Sequence, residues 1–504
     1  MSSTERLALV VIVALGILVR TLPILAAPAA VGDGGLFHAM IEDLRSNALV
    51  IPPASSYNQL EIPFVYPPLA PLGTAALGEA TGASTLDLLR WVPFAISVLG
   101  VGAFAWLAWR LLPPAAALAA AFVYALMPHA YDWVIAGGGI TRGLGLLFAL
   151  LAMAVAADRA RASFLYAIAT GLLLGLAGLS HPQAAVFGVI GCLVVSYRSP
   201  VQQWLVHAGV AAVSAAVLVL PWLVARIAGH GLGALLAAGH RVEPVTGLIR
   251  MLNLRFSGAP FMDLFGVLGV LGLVVSLARR EARIPLLLLL TYLAGAGGGE
   301  FLAAVPWALL AGTGGAAMGG LVFGALLDAG PAARRAVAVG LGALLLFVAL
   351  IGSIGSFADG SSKLQAINAD QLAAMRWVAE NTDPGTTFVI PTEDVWGDDE
   401  TSEWFPALTG RHSIGTVQGS EWLGAAGYRR QLEHHVAIRG CTGASISCYR
   451  SFAPDATFYV PKGHLAGPFS LEDCCAALRE ALAGPGYRII YDGPGATIAE
   501  PTGG

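Results

Sequence analysis

Residues 31–72 read VGDGGLFHAMIEDLRSNALVIPPASSYNQLEIPFVYPPLAPL. They follow an apolar run, Leu7 to about Ala27, that is long enough to cross a bilayer, for which about 20 apolar residues are needed. Asp33 stands just past that run on a flexible Gly-Asp-Gly-Gly turn. Leu36 to Leu49 then carries a helical period. Leu36, Met40, Leu44 and Ala48 share one face, while His38, Glu42 and Arg45 fall on another. The stretch closes on Tyr66-Pro67-Pro68-Leu69. Ionisable groups at a membrane surface are costly to bury, which makes Asp33 a functional candidate.

The composition around this stretch sets the class. Hydrophobic residues make up 56% of the 504-residue chain and charged residues only 12%. Soluble proteins carry about 25% charged residues. Mean hydropathy is +0.72. The chain therefore reads as a polytopic α-helical membrane protein, and with no basic run it has no sign of a nucleic-acid partner. After Leu7–Ala27, apolar runs fall at roughly Trp91–Leu112, Ala115–Met127, Leu144–Ala157, Phe164–Leu179, Ala184–Val195 and Leu205–Val224. Further runs cover roughly Leu264–Leu277, Pro285–Ala296, Ala303–Leu327 and Ala336–Ser353, giving about eleven transmembrane helices. The small residues at Ala26-Ala27 resemble a signal-peptide cleavage site, but Arg20 within the run and the later spans argue for a retained helix.

Basic residues orient the spans. With the N-terminus in the cytoplasm, Arg6, Arg110, Arg159, Arg161, Arg198, Arg279, Arg280, Arg283, Arg334 and Arg335 all fall on inside turns. The tail then lies outside the cell membrane. Cys441, Cys448, Cys474 and Cys475 cluster in that tail, as expected of a disulfide-bearing extracytoplasmic domain, with connectivity left open. The outer loops carry His129, Asp132 and Trp133; Thr141 and Arg142 after three glycines; His181; Arg255; and Glu300.

From Asp370 the composition changes. A helical pattern at Gln371–Asn381, a strand at Thr386–Ile390, a strand near Thr457–Val460, a helix at Leu471–Leu482 and a strand near Tyr487–Tyr491 make a small α/β domain. The expected division is 1–357 for the membrane domain, with 31–90 as its first outer loop, and 358–504 for the extracytoplasmic domain. The segment Asp398–Trp422 is dense in acids and aromatics, a mixture suited to sugar or headgroup contact, or to packing the tail onto the membrane domain.

The order Asp33, amphipathic helix, Asn47–Pro52, Tyr66-Pro67-Pro68-Leu69 resembles the first outer loop of GT-C membrane glycosyltransferases, in the lipid A aminoarabinose transferase and protein mannosyltransferase branch. In that branch a Lys precedes the double proline; here the residue is Tyr66. Met375–Thr382 resembles the entry to the soluble domain of oligosaccharyltransferase catalytic subunits. Their Trp-Trp-Asp-Tyr-Gly motif is absent, since Thr392–Asp399 stands in its place. The resemblance implies a GT-C-like fold and an enzyme that moves sugar from a polyprenyl- or dolichyl-phosphate donor to a lipid, glycan or protein acceptor on the outer face, with inversion.

That chemistry needs a base and positive charge at the departing phosphate. Asp33 is the expected base, with helix capping as its structural alternative. Arg142, opening a span after three glycines, is the expected phosphate contact, with Arg255 and Arg20 behind it. His38, Glu42, Tyr66, His181, Glu403, Trp404, Arg411, Glu421 and Trp422 are candidates for substrate contact. Asp33, Asp132 and Glu300 could together hold a divalent cation such as Mg or Mn. Two other classes compete: a transporter or flippase of lipid-linked glycans, and a non-catalytic membrane scaffold. A transporter would usually show an internal repeat and a midplane site, and the sequence has no such repeat.

Overall fold

The computed structural model describes residues 1–158, 163–197, 201–237, 262–295, 299–326, 330–358, 367–441, 446–465 and 475–502, with single positions at 249, 252, 254, 256, 364, 471 and 472. The membrane part contains α1 (Ser3–Ala26), α2 (Gly35–Ser46), α3 (Leu69–Thr81), α4 (Thr85–Leu111), α5 (Pro114–Leu126), α6 (Asp132–Ile135) and α7 (Gly139–Ala156). It continues through α8 (Phe164–Gly178), α9 (Pro182–Ser196), α10 (Val201–Ala237), α11 (Leu264–Ala278), α12 (Arg283–Gly295), α13 (Glu300–Ala325) and α14 (Pro331–Ala358). Each apolar run read from the sequence is a helix. Six of them, α1, α4, α7, α10, α13 and α14, are long and apolar enough to cross a membrane, and α5, α8, α9, α11 and α12 are shorter apolar helices.

A helix that is apolar all round is either central or faces lipid, and burial separates the two cases. In α13, 78% of the most apolar window is buried, which makes it the centre of the bundle. In α10 the share is 6%, and Leu205, Val213, Val217, Leu220 and Val224 are exposed. At about 1.5 Å per residue α10 is longer than the ~30 Å hydrocarbon core. Its far end, past a break at Gly231, packs Ala234 and Leu235 against the apolar cluster formed by the first loop and the C-terminal domain.

The first loop is built as expected up to a point. Leu36, Met40 and Leu44 are fully buried along α2. The helix stops at Ser46, before Ala48. Ala48 and Leu49 adopt positive φ (52° and 63°), and the Leu49 N–H returns to the Leu44 carbonyl at 2.7 Å, a C-terminal closure that satisfies an orphan carbonyl. A short antiparallel pair, β1 (Ala54–Ser55) with β2 (Ile62–Pro63), then leads to α3.

The C-terminal domain holds a five-stranded mixed sheet. It is made of β3 (Thr387–Val389), β4 (His412–Ser413), β5 (Thr457–Pro461), β8 (Tyr487–Asp492) and β9 (Ala496–Pro501), in the order β4-β3-β5-β9-β8. A separate antiparallel pair, β6 (His464–Leu465) with β7 (Leu471–Glu472), occupies the start of the expected helix Leu471–Leu482, which is shortened to Ala476–Leu482. Parallel pairing joins β3 to β4 and β5, and antiparallel pairing joins β9 to β5 and β8. Helices α15 (Ala369–Asn381), α16 (Glu400–Thr409) and α17 (Gly424–Gly440) flank it. Cys441 and Cys448 form a disulfide, and Cys475 is also disulfide-bonded, to a partner outside the described residues. The segment Asp398–Trp422 contains α16, which packs against α2. One apolar core runs through both regions, joining Leu36, Met40 and Ile41 to Phe388, Trp404, Phe405, Tyr459 and Ile498.

Candidate active site

The site forms where α1 ends and α7 begins. The turn carrying Asp33 lies alongside the glycines before α7. Gly137 N–H donates to the Val31 carbonyl at 2.8 Å and Gly138 N–H to the Asp33 carbonyl at 2.7 Å. A Cβ on Gly138 would stand 2.8 Å from Asp33 Oδ2, so only glycine permits this approach. One turn into α7, Arg142 points back to the same carboxylate. Its Nη1 donates to Asp33 Oδ2 at 2.8 Å and its Nη2 to Asp33 Oδ1 at 2.6 Å. The side chains are 15% and 13% exposed, enough to be reached from outside while largely screened from water. Arg142 Nε donates to the Trp133 carbonyl at 3.1 Å, and the guanidinium lies 4.7 Å from the Trp133 ring centre. A planar fork set on a carboxylate and an aromatic face is the arrangement for which Arg is suited and Lys is not.

Glu403 comes up from α16 on the other side. Its Oε1 accepts the Gly34 and Gly35 N–H groups at 2.8 and 3.0 Å. Burial and then the Asp33 carboxylate push its pKa up to about 8, against the downward pull of those two N–H groups and of Arg142. Trp404 Nε1 donates to the Gly32 carbonyl at 2.9 Å. His38 faces the Trp404 ring, and burial brings its pKa down to about 4, leaving it neutral at pH 7. Tyr66 hydrogen-bonds Thr141 at 3.0 Å and stands edge-on to Phe37 and Trp422.

No protein-family model matches this sequence, and no curated protein does. Solved structures do match. The archaeal oligosaccharyltransferase AglB from Archaeoglobus fulgidus, in complex with an inhibitory peptide and a dolichol-phosphate, superposes with a TM-score of 0.56 at 15% identity, over 91% of this chain and 69% of its own. ArnT from Cupriavidus metallidurans, bound to undecaprenyl phosphate, gives 0.55 at 14% identity over 99% and 98%. The arabinofuranosyltransferase AftD from Mycobacteria gives 0.54 at 15% identity, over 100% of this chain and 40% of its own. These neighbours are all members of the GT-C superfamily. The chain has the GT-C fold.

Within this GT-C fold the expected site residues separate into groups. Asp33, Arg142, His38, Tyr66, Glu403, Trp404 and Trp422 come together. Asp33 does not cap α2: the N-cap position is Gly34, with no side-chain cap of its own. Glu42 is turned to Arg45 and Thr85, tying α2 to α4. His181 caps α9 through its Nδ1 and packs on Phe301. Arg411 spends its guanidinium on Thr382 and on the carbonyls of Ala379, Thr382 and Thr409 within the C-terminal domain. Glu421 is buried in the 3-10 turn Ser420–Leu423. Arg20 lies fully buried inside the bundle, donating to Ser97 Oγ and to the carbonyls of Gly16 and Ala125. Arg255 lies outside the described residues.

Asp33 and Asp132 are engaged with other partners. Both Asp33 oxygens face the Arg142 fork, and Asp132 Oδ1 accepts its neighbour's N–H at 2.7 Å. Nothing is described of the Glu300 side chain. Among the described residues no group of three His, Cys, Asp or Glu stands close enough to hold a metal ion. The archaeal oligosaccharyltransferase is also known in complex with Zn and sulfate, with a TM-score of 0.52, 16% identity, and coverage of 90% of this chain and 68% of its own.

The sequence reading missed Arg226. It sits on the lipid-facing α10, where Nη1 donates to the Phe64 carbonyl at 3.4 Å, two residues from Tyr66, and Nε has no partner. On the roughly opposite face of the same helix, Val213, Val217, Leu220 and Val224 form an exposed apolar strip. The signal for it was a lone cation ending an apolar run.

Proposed function

We propose that this protein is a membrane glycosyltransferase that moves a sugar, with inversion, from a polyprenyl- or dolichyl-phosphate donor to a lipid, glycan or protein acceptor on the extracytoplasmic face of the cell membrane. Residues 1–357 would form the membrane domain that carries the site and 358–504 the extracytoplasmic domain that completes it. The observation that carries this reading is the Asp33–Arg142 pair, half-open at one end of the bundle in a GT-C fold. The solved neighbours that hold dolichol-phosphate and undecaprenyl phosphate support it.

Asp33 is the base. Each carboxylate oxygen has two acceptor positions, and the Arg142 fork uses one on each, so one remains on each oxygen for an incoming hydroxyl. The acceptor oxygen forms a bond to the anomeric carbon as the bond from that carbon to the phosphate oxygen breaks. The hydroxyl proton passes to Asp33, and the phosphate leaves with the electron pair. Arg142 and Arg226 meet the negative charge that grows on the leaving group, where positive groups already in place cost no reorganisation. Tyr66, Trp422 and His38 offer aromatic faces to the sugar. No step is routed through a divalent cation, for which the described residues form no ligand set.

The test is incubation of purified protein with a panel of radiolabelled polyprenyl-phosphate sugars and membrane extract. Label entering a membrane acceptor with wild type and not with Asp33→Asn supports the reading. Lipid-linked glycan moved across vesicles without being consumed would convert the protein into a carrier.

A further inference from the structure

Glu403 is 368 residues from Gly35, yet its Oε1 takes the first two N–H groups of α2. Those groups belong to a helix start that is left open: no side chain within the loop caps it. The neighbouring residues complete a grip. Trp404 Nε1 holds the Gly32 carbonyl, and Tyr57 donates from its hydroxyl to the Glu403 carbonyl at 2.6 Å. A Cβ on Gly35 would lie 2.3 Å from the Glu403 carbonyl oxygen, so the two backbones meet without a side chain between them. The platform is itself secured, because Asp399 caps α16 by accepting from Ser402 N–H at 3.0 Å. Residues 32, 34 and 35 are thus all held by residues 403 and 404, and the residue in the middle is Asp33.

We infer that Glu403 is a positioning residue: from the C-terminal domain it caps α2 and thereby fixes the Asp33 carboxylate against Arg142. This rests on the reading of Asp33 as the base. Gly138 and Arg142 hold Asp33 from the α7 side, while its own Gly-Asp-Gly-Gly turn supplies no side chain to brace it, and a base displaced by about 1 Å loses up to about 100-fold in rate. Glu403 itself does not touch the reacting atoms. What it contributes is an oxygen at the right place, and a neutral amide supplies the same oxygen. The raised pKa of Glu403 agrees with this, since a group that is partly protonated near neutral pH acts as a hydrogen-bond acceptor more than as a charge.

The experiment uses the full chain in detergent, with Glu403→Ala and Glu403→Gln. Hydrogen–deuterium exchange is followed in peptides covering residues 32–46. Transfer from a polyprenyl-phosphate sugar is measured in parallel. Glu403→Ala is expected to speed exchange at the start of α2 and to lower kcat by about 10–100-fold, with the donor KM changed by less than about threefold. Glu403→Gln is expected to restore both. Unchanged exchange in Glu403→Ala, wild-type kcat in Glu403→Ala, or Glu403→Gln as impaired as Glu403→Ala would each overturn the inference. If Glu403→Ala also loses protection in β5 and β9, the domain has unfolded. Glu403→Asp, shorter but still charged, then takes its place and is expected to fall between wild type and Ala. If wild type transfers no sugar from any lipid donor, the functional reading falls, and the exchange comparison alone decides whether Glu403 caps α2.

Discussion

Two arginines of the membrane part, Arg20 and Arg142, are held in opposite ways. Arg20, inside the bundle, donates to Ser97 Oγ at 2.9 Å and to the carbonyls of Gly16 and Ala125 at 3.0 and 2.5 Å, with its guanidinium 4.6 Å from the Tyr131 ring. Arg142, at the end of the bundle, has the Trp133 ring and carbonyl in the corresponding places but turns its fork to a carboxylate. The acceptors of Arg20 belong to α1, α4 and α5, all regular helices, so that guanidinium works as a strut. The acceptor of Arg142 sits on a glycine-rich turn that a third region holds from outside. Rigid neutral partners give stability, whereas a charged partner on an adjustable turn gives a site.

The comparison predicts a sharp division in turnover per folded molecule. The largest effect belongs to Asp33→Asn. Turnover per folded molecule should fall by about 10²–10⁴-fold, the usual range for loss of a general base, and the thermal midpoint should fall as well, because an amide gives the Arg142 fork one acceptor in place of two and no counter-charge. Wild-type turnover in this variant would end the division at once. Arg20→Met should act on stability alone, costing about 1.5–3 kcal/mol through lost charged hydrogen bonds and leaving turnover per folded molecule unchanged. A drop in turnover without a drop in midpoint would place Arg20 in the site after all. Arg226→Gln should raise the donor KM by about tenfold, the loss of one charge-assisted contact, with kcat nearly unaffected. An unchanged KM would leave the phosphate to Arg142 alone.

The smallest effect is a slope with pH. The folded pKa of Glu403, about 8, lies above the ordinary 4.5, so its contribution to stability is fully present below about pH 4.5 and is lost as pH rises through 8. The thermal midpoint should therefore decline between about pH 5 and 9, and Glu403→Gln should flatten the decline. Glu400, buried with Oε2 unpartnered and raised in the same direction, leaves a residual slope. A midpoint that rises over that interval would contradict the buried acid.

How much of this was legible in the sequence depended on distance along the chain. Apolar runs are local, so each of them was legible as a helix, six of which are long enough to cross a membrane. Asp33 and Arg142 were also found, each by its place at the end of a run, but nothing local says that residues 109 apart share two hydrogen bonds. Glu403 and Trp404 fall in a segment read as suited either to sugar or headgroup contact or to packing the tail onto the membrane domain; their observed partners, the backbone of residues 32–35, agree with the second, and which backbone they meet carries no sequence signal. The close of α2 was placed late because the helical period continues to Ala48, and the left-handed turn that overrides it is set by backbone closure. Strand β9 went unseen behind Gly493-Pro494-Gly495, although it lies between β5 and β8 in the sheet. Arg226 was hidden by the run it terminates.

The grip on residues 32–35 also has a consequence in time. A ribosome adds about 5–20 residues per second, so the 368 residues between Gly35 and Glu403 take roughly 20–75 s to make. Throughout that interval the first loop is already outside the membrane, in the proposed orientation, with its helix start open and its carboxylate unset. A nascent chain could meet donor lipid long before it could use it. If Asp33 is the base, as proposed, activity waits for the arrival of a late-made segment, and a chain that stalls before residue 403 lacks the cap on α2.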